Sequence, residues 1–283
     1  MMSSCIASAF GLTVELAYQA LPSSVLPQPT LQCDPEQFYL SIPDVARFLA
    51  LPADNRIIIE KVNPGIQDNL IHPWLYGTVF AYTMQYHGYL VLHGSAVLIN
   101  GGGVILSGQS SAGKSTLASA LMQKGHPFIT DDLVVIKQND KGQYCILPGP
   151  ATLRLWKDAM QYFNHDINDA VPVMLKTDKY AMPARQTCDT SMIPIRAFYE
   201  LNAATPTDTF SCDHMNKAQS LKTIMQNAYR YFMLKPLGKL QTFFQDCSGL
   251  SQQITVNKIT RTTRFDTLPQ IIQHIELDQG MAS

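Results

Sequence analysis

A chain of 283 residues with 46% hydrophobic and only 15% charged side chains can bury a sizeable core, as one large domain or two moderate ones. Its formal net charge of −1 gives no electrostatic reason to expect nucleic acid or an anionic membrane surface as a partner. No apolar run reaches the length of a membrane span, the first basic residues are Arg47 and Lys61, and the six cysteines are far apart without a C-x-x-C pair. A cytoplasmic protein with reduced thiols is therefore expected, rather than a secreted disulfide frame or a zinc site.

Residues 1–65 alternate short apolar stretches with prolines. Strands are expected at Phe10 to Leu16, Phe38 to Ile42 and Ile57 to Ile59, with turns at Pro22, Pro27, Pro29, Pro52 and Pro64. No catalytic set falls here, and the stretch reads as a small β-rich lobe. Asn69 to Tyr86 predicts a helix whose aromatics, Trp74, Tyr76, Phe80, Tyr82 and Tyr86, are core rather than a binding platform. Tyr89 to Ile99 suggests two strand segments separated by Gly94-Ser95, and Asn100 to Gly103 a hairpin turn. Past residue 136 the pattern predicts mixed strands and short helices from Cys145 to Leu201. A helical stretch opens at Leu153 to Trp156, and strands cover Lys179 to Met182 and Ala197 to Leu201. Helices follow at Lys217 to Met233, Leu240 to Cys247 and Leu268 to Ile275, with a strand at Ile254 to Val256. Pro236 to Gly238 breaks the first helix from the second, and Pro269 sits in the first turn of the last.

The stretch that carries chemistry is Gly108-Gln109-Ser110-Ser111-Ala112-Gly113-Lys114-Ser115-Thr116, a G-x-x-x-x-G-K-[ST] phosphate-binding loop. Its glycines allow a tight turn in which successive amides face a phosphate, and the helix starting near Lys114 adds its positive end. Lys114 would reach the terminal phosphates and the Ser115 hydroxyl would ligate Mg²⁺. The context agrees. Val104 to Leu106 reads as a buried strand, Leu117, Ala120 and Leu121 fall at helical spacing, and Gly125 stands where a C-cap belongs. Downstream, a short strand from Pro127 ends in Asp131-Asp132, acids that can hold Mg²⁺ or accept a proton from an attacking hydroxyl. His72, His87, His165, His214 and His274 form no ligand spacing.

With these landmarks the stretch from His93 to Ile136 resembles the kinase core of HPr kinase/phosphorylase and its relatives, including the HPr-kinase-like enzymes of lasso-peptide gene clusters. More remotely it is similar to phosphoenolpyruvate carboxykinase. The resemblance rests on His93-Gly94 before the loop, on the loop itself, and on Gly125-His126 followed by Asp131-Asp132, a G-H-x-x-x-x-D-D element. A weaker match is Lys179 to Arg185, similar to a K-x-x-x-P-x-R segment.

The resemblance implies an α/β P-loop kinase core (66–283) of the phosphoenolpyruvate-carboxykinase/HPr-kinase type with a small N-terminal β-rich lobe (1–65). It implies ATP and Mg²⁺ as cofactors and a protein or peptide bearing a serine as acceptor. No nucleic acid or membrane partner is implied, and a homo-oligomer is compatible. In roles carried over residue by residue, Lys114 and His93 stabilise charge, Asp132 accepts the hydroxyl proton, Asp131 joins Ser115 at the metal, and Arg185 neutralises charge at the acceptor end. His126 reads as structural. Two departures stand out. The family's E-[VI]-R-G segment corresponds to Leu147 to Arg154, which holds no acid, and its P-G-R continuation is missing after Arg185. The phosphorolytic reverse reaction is accordingly not expected. A catalytically weak nucleotide-binding regulator and a kinase of a small hydroxylated molecule stay open as alternatives.

Overall fold

The computed structural model describes residues 3–22, 30–173, 177–203, 210–262 and 264–281. The fold is mixed α/β and divides into two compact units, Met1–Val91 with Arg230–Phe243, and Leu92–Tyr229 with Phe244–Ser283.

The first unit holds β1 (Ser3–Ala9), β2 (Leu12–Tyr18), β3 (Leu31–Cys33), β4 (Phe38–Ile42), β5 (Ala46–Leu51) and β6 (Arg56–Lys61). They form one sheet in the order β1-β2-β6-β5-β4-β3, in which β2 runs parallel to β6 and the other neighbours are antiparallel. Phe10 is not in a strand. With Gly11 it makes the β1–β2 turn, both at positive φ (53° and 69°), as a two-residue hairpin loop requires. The turns expected at Pro27 and Pro29 lie outside the described residues.

The expected helix over 69–86 forms as α1 (Asp68–Trp74), a π-helical turn (Leu75–Val79) and α2 (Phe80–Tyr86). Pro73 sits inside α1, where its ring crowds the carbonyl one turn back, and the wider turn follows it directly. Phe80 and Tyr82 are fully buried. Tyr82 stacks on Phe38 at 4.9 Å, and its hydroxyl donates to the Asp34 carbonyl. Each such burial contributes about 1.5–3 kcal/mol. The core reading of the aromatic stripe holds for these two, whereas Trp74, Tyr76 and Tyr86 are half-buried.

The second unit carries the glycine-rich loop. Its strands are β7 (Leu90–Ile99), β8 (Gly102–Gly108), β9 (Phe128–Gln138), β10 (Tyr144–Leu147), β11 (Thr152–Trp156), β12 (Val171–Pro172), β13 (Lys179–Pro183), β14 (Ile193–Ala203), β15 (Ser211–His214) and β16 (Thr255–Arg261). Its helical elements are α3 (Lys114–Gln123), α4 (Lys157–Tyr162), α5 (Lys217–Gln226), α6 (Leu240–Gln253) and α7 (Leu268–Asp278). The main sheet has the order β10-β9-β7-β8-β14-β16-β15, with β8, β14 and β16 mutually parallel, while β11, β13 and β12 form a small separate sheet. Val104, Leu106, Leu117, Leu121, Tyr199, Ile259, Ile271 and Ile275 share one buried cluster that seats α3 and α7 on the main sheet. His126 is a fastening here, its Nε2 lying 2.8 Å from Glu276 Oε1 on α7.

Several expected boundaries move. β7 is continuous through Gly94-Ser95, because Gly94 is there for close approach and not for a break: a Cβ on it would lie 2.8 Å from the Leu106 carbonyl oxygen. β9 runs straight through Asp131-Asp132 for 11 residues instead of ending at them. Leu153 to Trp156 is strand, paired with β13, and the helix begins only at Lys157. The helix opened by the Asn216 capping box stops at Gln226, short of Met233, and Arg230 takes a left-handed φ of 49° before a 3₁₀ turn at Tyr231–Met233. α6 and β16 run further than the sequence pattern suggested.

Candidate active site

The loop leaves the carboxyl end of β8 and enters α3 directly. Ligands in open α/β sheets bind at such strand ends. Gly108 and Gly113 have positive φ (133° and 94°), and the Gly108 amide donates to the Asn227 side-chain oxygen at 3.1 Å. Lys114 is buried and folds back over the turn, donating to the carbonyls of Gly108 and Gln109, both at 2.9 Å. Burial, then the nearby Lys179, pulls its ammonium down to about 8 against the opposing pull of Asp131 and Asp132. A buried cation held that way gains from any anion that reaches it.

Ser115 Oγ donates to Asp131 Oδ1 at 2.9 Å, and Ser95 Oγ reaches the same oxygen at 2.6 Å. The other carboxylate oxygen accepts the Arg154 amide at 2.8 Å. Asp131 is therefore fixed by three donors from β7, α3 and β11. A hydroxyl beside a carboxylate oxygen is a hard-oxygen pair of the kind that suits Mg²⁺ completed by substrate phosphates and water. Among the described residues no group of three or more His, Cys, Asp or Glu is placed to hold a metal ion. Ser115 and Asp131 fit Mg²⁺ as a partial ligand set, with phosphates expected to supply the rest.

Asp132 takes a left-handed backbone (φ 73°), which sends two successive acids of one strand into the same space. Its carboxylate ion-pairs with Arg154 and lies 3.7 Å from His93 Nδ1. Burial alone would raise this carboxyl, but Arg154 first, then His93 and Lys179, outweigh it and hold the group below the usual carboxylate range. His93 Nδ1 is 3.1 Å from the Asp132 carbonyl oxygen. A carbonyl only accepts, so Nδ1 carries the proton and Nε2 keeps a lone pair. Burial, then Lys114, lowers the His93 pKa despite Asp132, which leaves the ring neutral near pH 7. Its carbonyl accepts Ser107 Oγ at 2.6 Å and its amide donates to Asn227.

One cavity of about 770 Å³ is lined by His93, Ser110 through Thr116, Asp131 and Asp132, together with Arg154, Trp156, Lys179 and Arg261. Gly108 and Gln109 do not line it, and their carbonyls accept Lys114 Nζ. Arg185 is the exception. It follows the end of β13 on exposed chain, pairs with Asp169 at 3.4 Å, and does not line the cavity. The guanidinium beside the acids is that of Arg154, which the sequence offered only as the last residue of an acid-free segment. Asn227 and Arg261 were missed altogether: the strand expected at Ile254 to Val256 stops short of Arg261, which only the longer β16 brings to the site.

Fold and site together define a mixed α/β protein with a glycine-rich loop at a strand's carboxyl end. The model of the HPr Serine kinase C-terminal domain matches residues 84–152. An HPr kinase/phosphorylase of Pelodictyon phaeoclathratiforme is 43% identical over 63 residues, which is 22% of this chain and 18% of that protein. One of Clostridium botulinum is 45% identical over 49 residues, 17% and 16% of the two chains. The match thus spans under a fifth of these curated relatives. The solved Hpr(Ser) kinase/phosphatase of Coxiella burnetii aligns with 67% of this chain and 95% of its own, at 14% identity and a TM-score of 0.35. The central segment of the chain, residues 84–152, is thus similar to proteins of the HPr-kinase-like family.

Proposed function

We propose that the chain is an ATP-dependent kinase that transfers the γ-phosphoryl group to a serine hydroxyl of a protein or peptide. In this reading residues 66–283 are the catalytic domain and residues 1–65 a β-rich lobe. The observation that supports it is the shared cavity of His93, Lys114, Ser115, Asp131 and Asp132. Phosphoryl transfer asks mainly for positioning and charge neutralisation, and these groups offer both.

The loop amides and Lys114 bind the phosphate tail, Lys114 exchanging its two carbonyl partners for phosphate oxygens. Ser115 and Asp131 would hold Mg²⁺, which when bound neutralises phosphate charge. Asp132 orients the acceptor hydroxyl and takes its proton. Neutral His93 holds the Asp132 main chain and adds a polar edge to the cavity. Arg185, exposed and outside the cavity lining, is left without a role. The names of the relatives include phosphorylase as well as kinase, so the expectation of a forward-only enzyme gains no support from them. Phosphorolysis is to be assayed beside transfer.

The test is purified protein with Mg²⁺ and ATP labelled at the γ-phosphate, read as autophosphorylation, ATP turnover and labelling of candidate acceptors. Lys114→Ala and Asp132→Asn should each remove transfer, with nucleotide binding largely kept in Asp132→Asn. A full rate in Asp132→Asn would show that the base is misassigned, and a wild type that neither binds nor turns over ATP would end the proposal. The Arg154 ion pair, which occupies Asp132, favours a second reading, a nucleotide-binding regulator. Tight ATP binding with no turnover would select it.

A further inference from the structure

Arg261 closes β16 and is almost wholly buried, at 2% exposure, yet it lines the cavity. Its Nε donates to the Thr262 carbonyl at 2.8 Å and its Nη2 to the Arg264 carbonyl at 3.5 Å. Nη1 has no hydrogen-bond partner among the described residues, and neither does the neighbouring buried Thr262 Oγ1. No carboxylate among the described residues pairs with this guanidinium.

A Cβ on Gly113 would lie 3.0 Å from Nη1, so the guanidinium sits directly over the turn that opens α3. The amino end of a helix carries positive partial charge, and Lys114 adds a full one. Three positive features converge where a buried cation by itself is unfavourable, and an anion between them reverses the sign. Arg261 also stands at the carboxyl end of a parallel strand, two residues beyond Ile259, which shares its register with Gly108 on β8 through Leu201.

We infer that Arg261 is a second cationic arm of this site, donating through Nη1 to the phosphate tail of the bound nucleoside triphosphate. The inference rests on the kinase reading for the identity of the ligand. It adds a residue that neither the loop motif nor the acid pair contains.

The full chain is titrated calorimetrically with ATP plus Mg²⁺ and, separately, with inorganic diphosphate as a probe of the tail alone. Wild type, Arg261→Gln, Arg261→Lys and Lys114→Ala are compared, and the melting temperature of each ligand-free protein is recorded. Arg261→Gln should weaken both ligands about tenfold or more, the loss expected for a charged hydrogen bond, and Arg261→Lys should weaken them less. Because the guanidinium lacks a counter-charge, Arg261→Gln should also melt at or above the wild-type temperature. Wild-type affinity in Arg261→Gln, with affinity lost in Lys114→Ala, overturns this inference and leaves the kinase reading standing. A lowered melting temperature in Arg261→Gln indicates a scaffold role and overturns it too. Wild type binding neither probe removes the kinase reading, and this inference with it.

Discussion

The side-chain oxygen of Asn227 accepts the Gly108 amide at 3.1 Å, while the backbone oxygen of the same residue accepts the His93 amide at 2.8 Å. One residue at the end of α5 thus holds the first glycine of the turn and the histidine strand in a fixed relation. Its own amide is anchored on the Thr223 carbonyl at 2.8 Å. Asn227→Ala leaves the buried Gly108 amide unpaired, which should cost about 1–3 kcal/mol in urea unfolding. Nucleotide affinity should fall as well, since the turn loses its rear support. Unchanged stability and affinity would mean that the bond is incidental.

Lys114 gives the site a pH dependence of known sign. Its folded pKa of about 8 lies below the ordinary 10.5, so the charged form opposes folding. Stability should therefore rise as pH climbs from about 8 towards the ordinary lysine range, and Lys114→Met should abolish that rise. Phosphate binds the ammonium form, so nucleotide affinity should decline above about pH 8, by at most about tenfold per pH unit. Calorimetry from neutral to mildly alkaline pH checks both slopes.

Two glycines with positive φ should respond differently to alanine. At Gly108 a Cβ would lie 2.3 Å from the Leu201 carbonyl oxygen, whereas at Gly101 it meets nothing within 4 Å. Gly108→Ala should cost on the order of 3 kcal/mol and disrupt nucleotide binding. Gly101→Ala should cost only the left-handed backbone, about 1–2 kcal/mol, and leave binding alone. Thermal melts with and without nucleotide separate the two.

Arg154→Met leaves Asp132 buried without its counter-charge and should destabilise the fold by about 3 kcal/mol near neutral pH. Asp132 has a depressed folded pKa, so its stabilising effect is present above its unfolded pKa and is lost as pH falls through the folded one. The gap between wild type and variant should narrow under acid conditions. Urea titrations at neutral and acid pH measure it, and a gap independent of pH would assign the loss to packing instead.

How much of this was legible from residues alone depended on sequence distance. The loop, its strand and its helix are contiguous, so spacing and glycine placement suffice to find them. Asp131 and Asp132 follow within one further strand. Arg154 and Arg261 reach the cavity, and Asn227 the Gly108 amide, from separate elements distant in sequence, a juxtaposition no local pattern encodes. Glycine also has two uses that a sequence does not distinguish: Gly94 looks like a break because glycines often end strands, yet it marks contact with the Leu106 carbonyl. Phe10 misleads in the opposite way, being an aromatic that reads as strand but occupies a left-handed turn position. Arg185 was expected at the acceptor end from a short motif match, of which Lys179 lines the cavity while Arg185 pairs with Asp169 outside the lining.

Residue 154 grips one acid with its main chain and the neighbouring acid with its side chain. The two carboxylates are thereby joined through a single residue. The acids at 131 and 132 thus share one tether, and a substitution that moves the chain at 154 should disturb both.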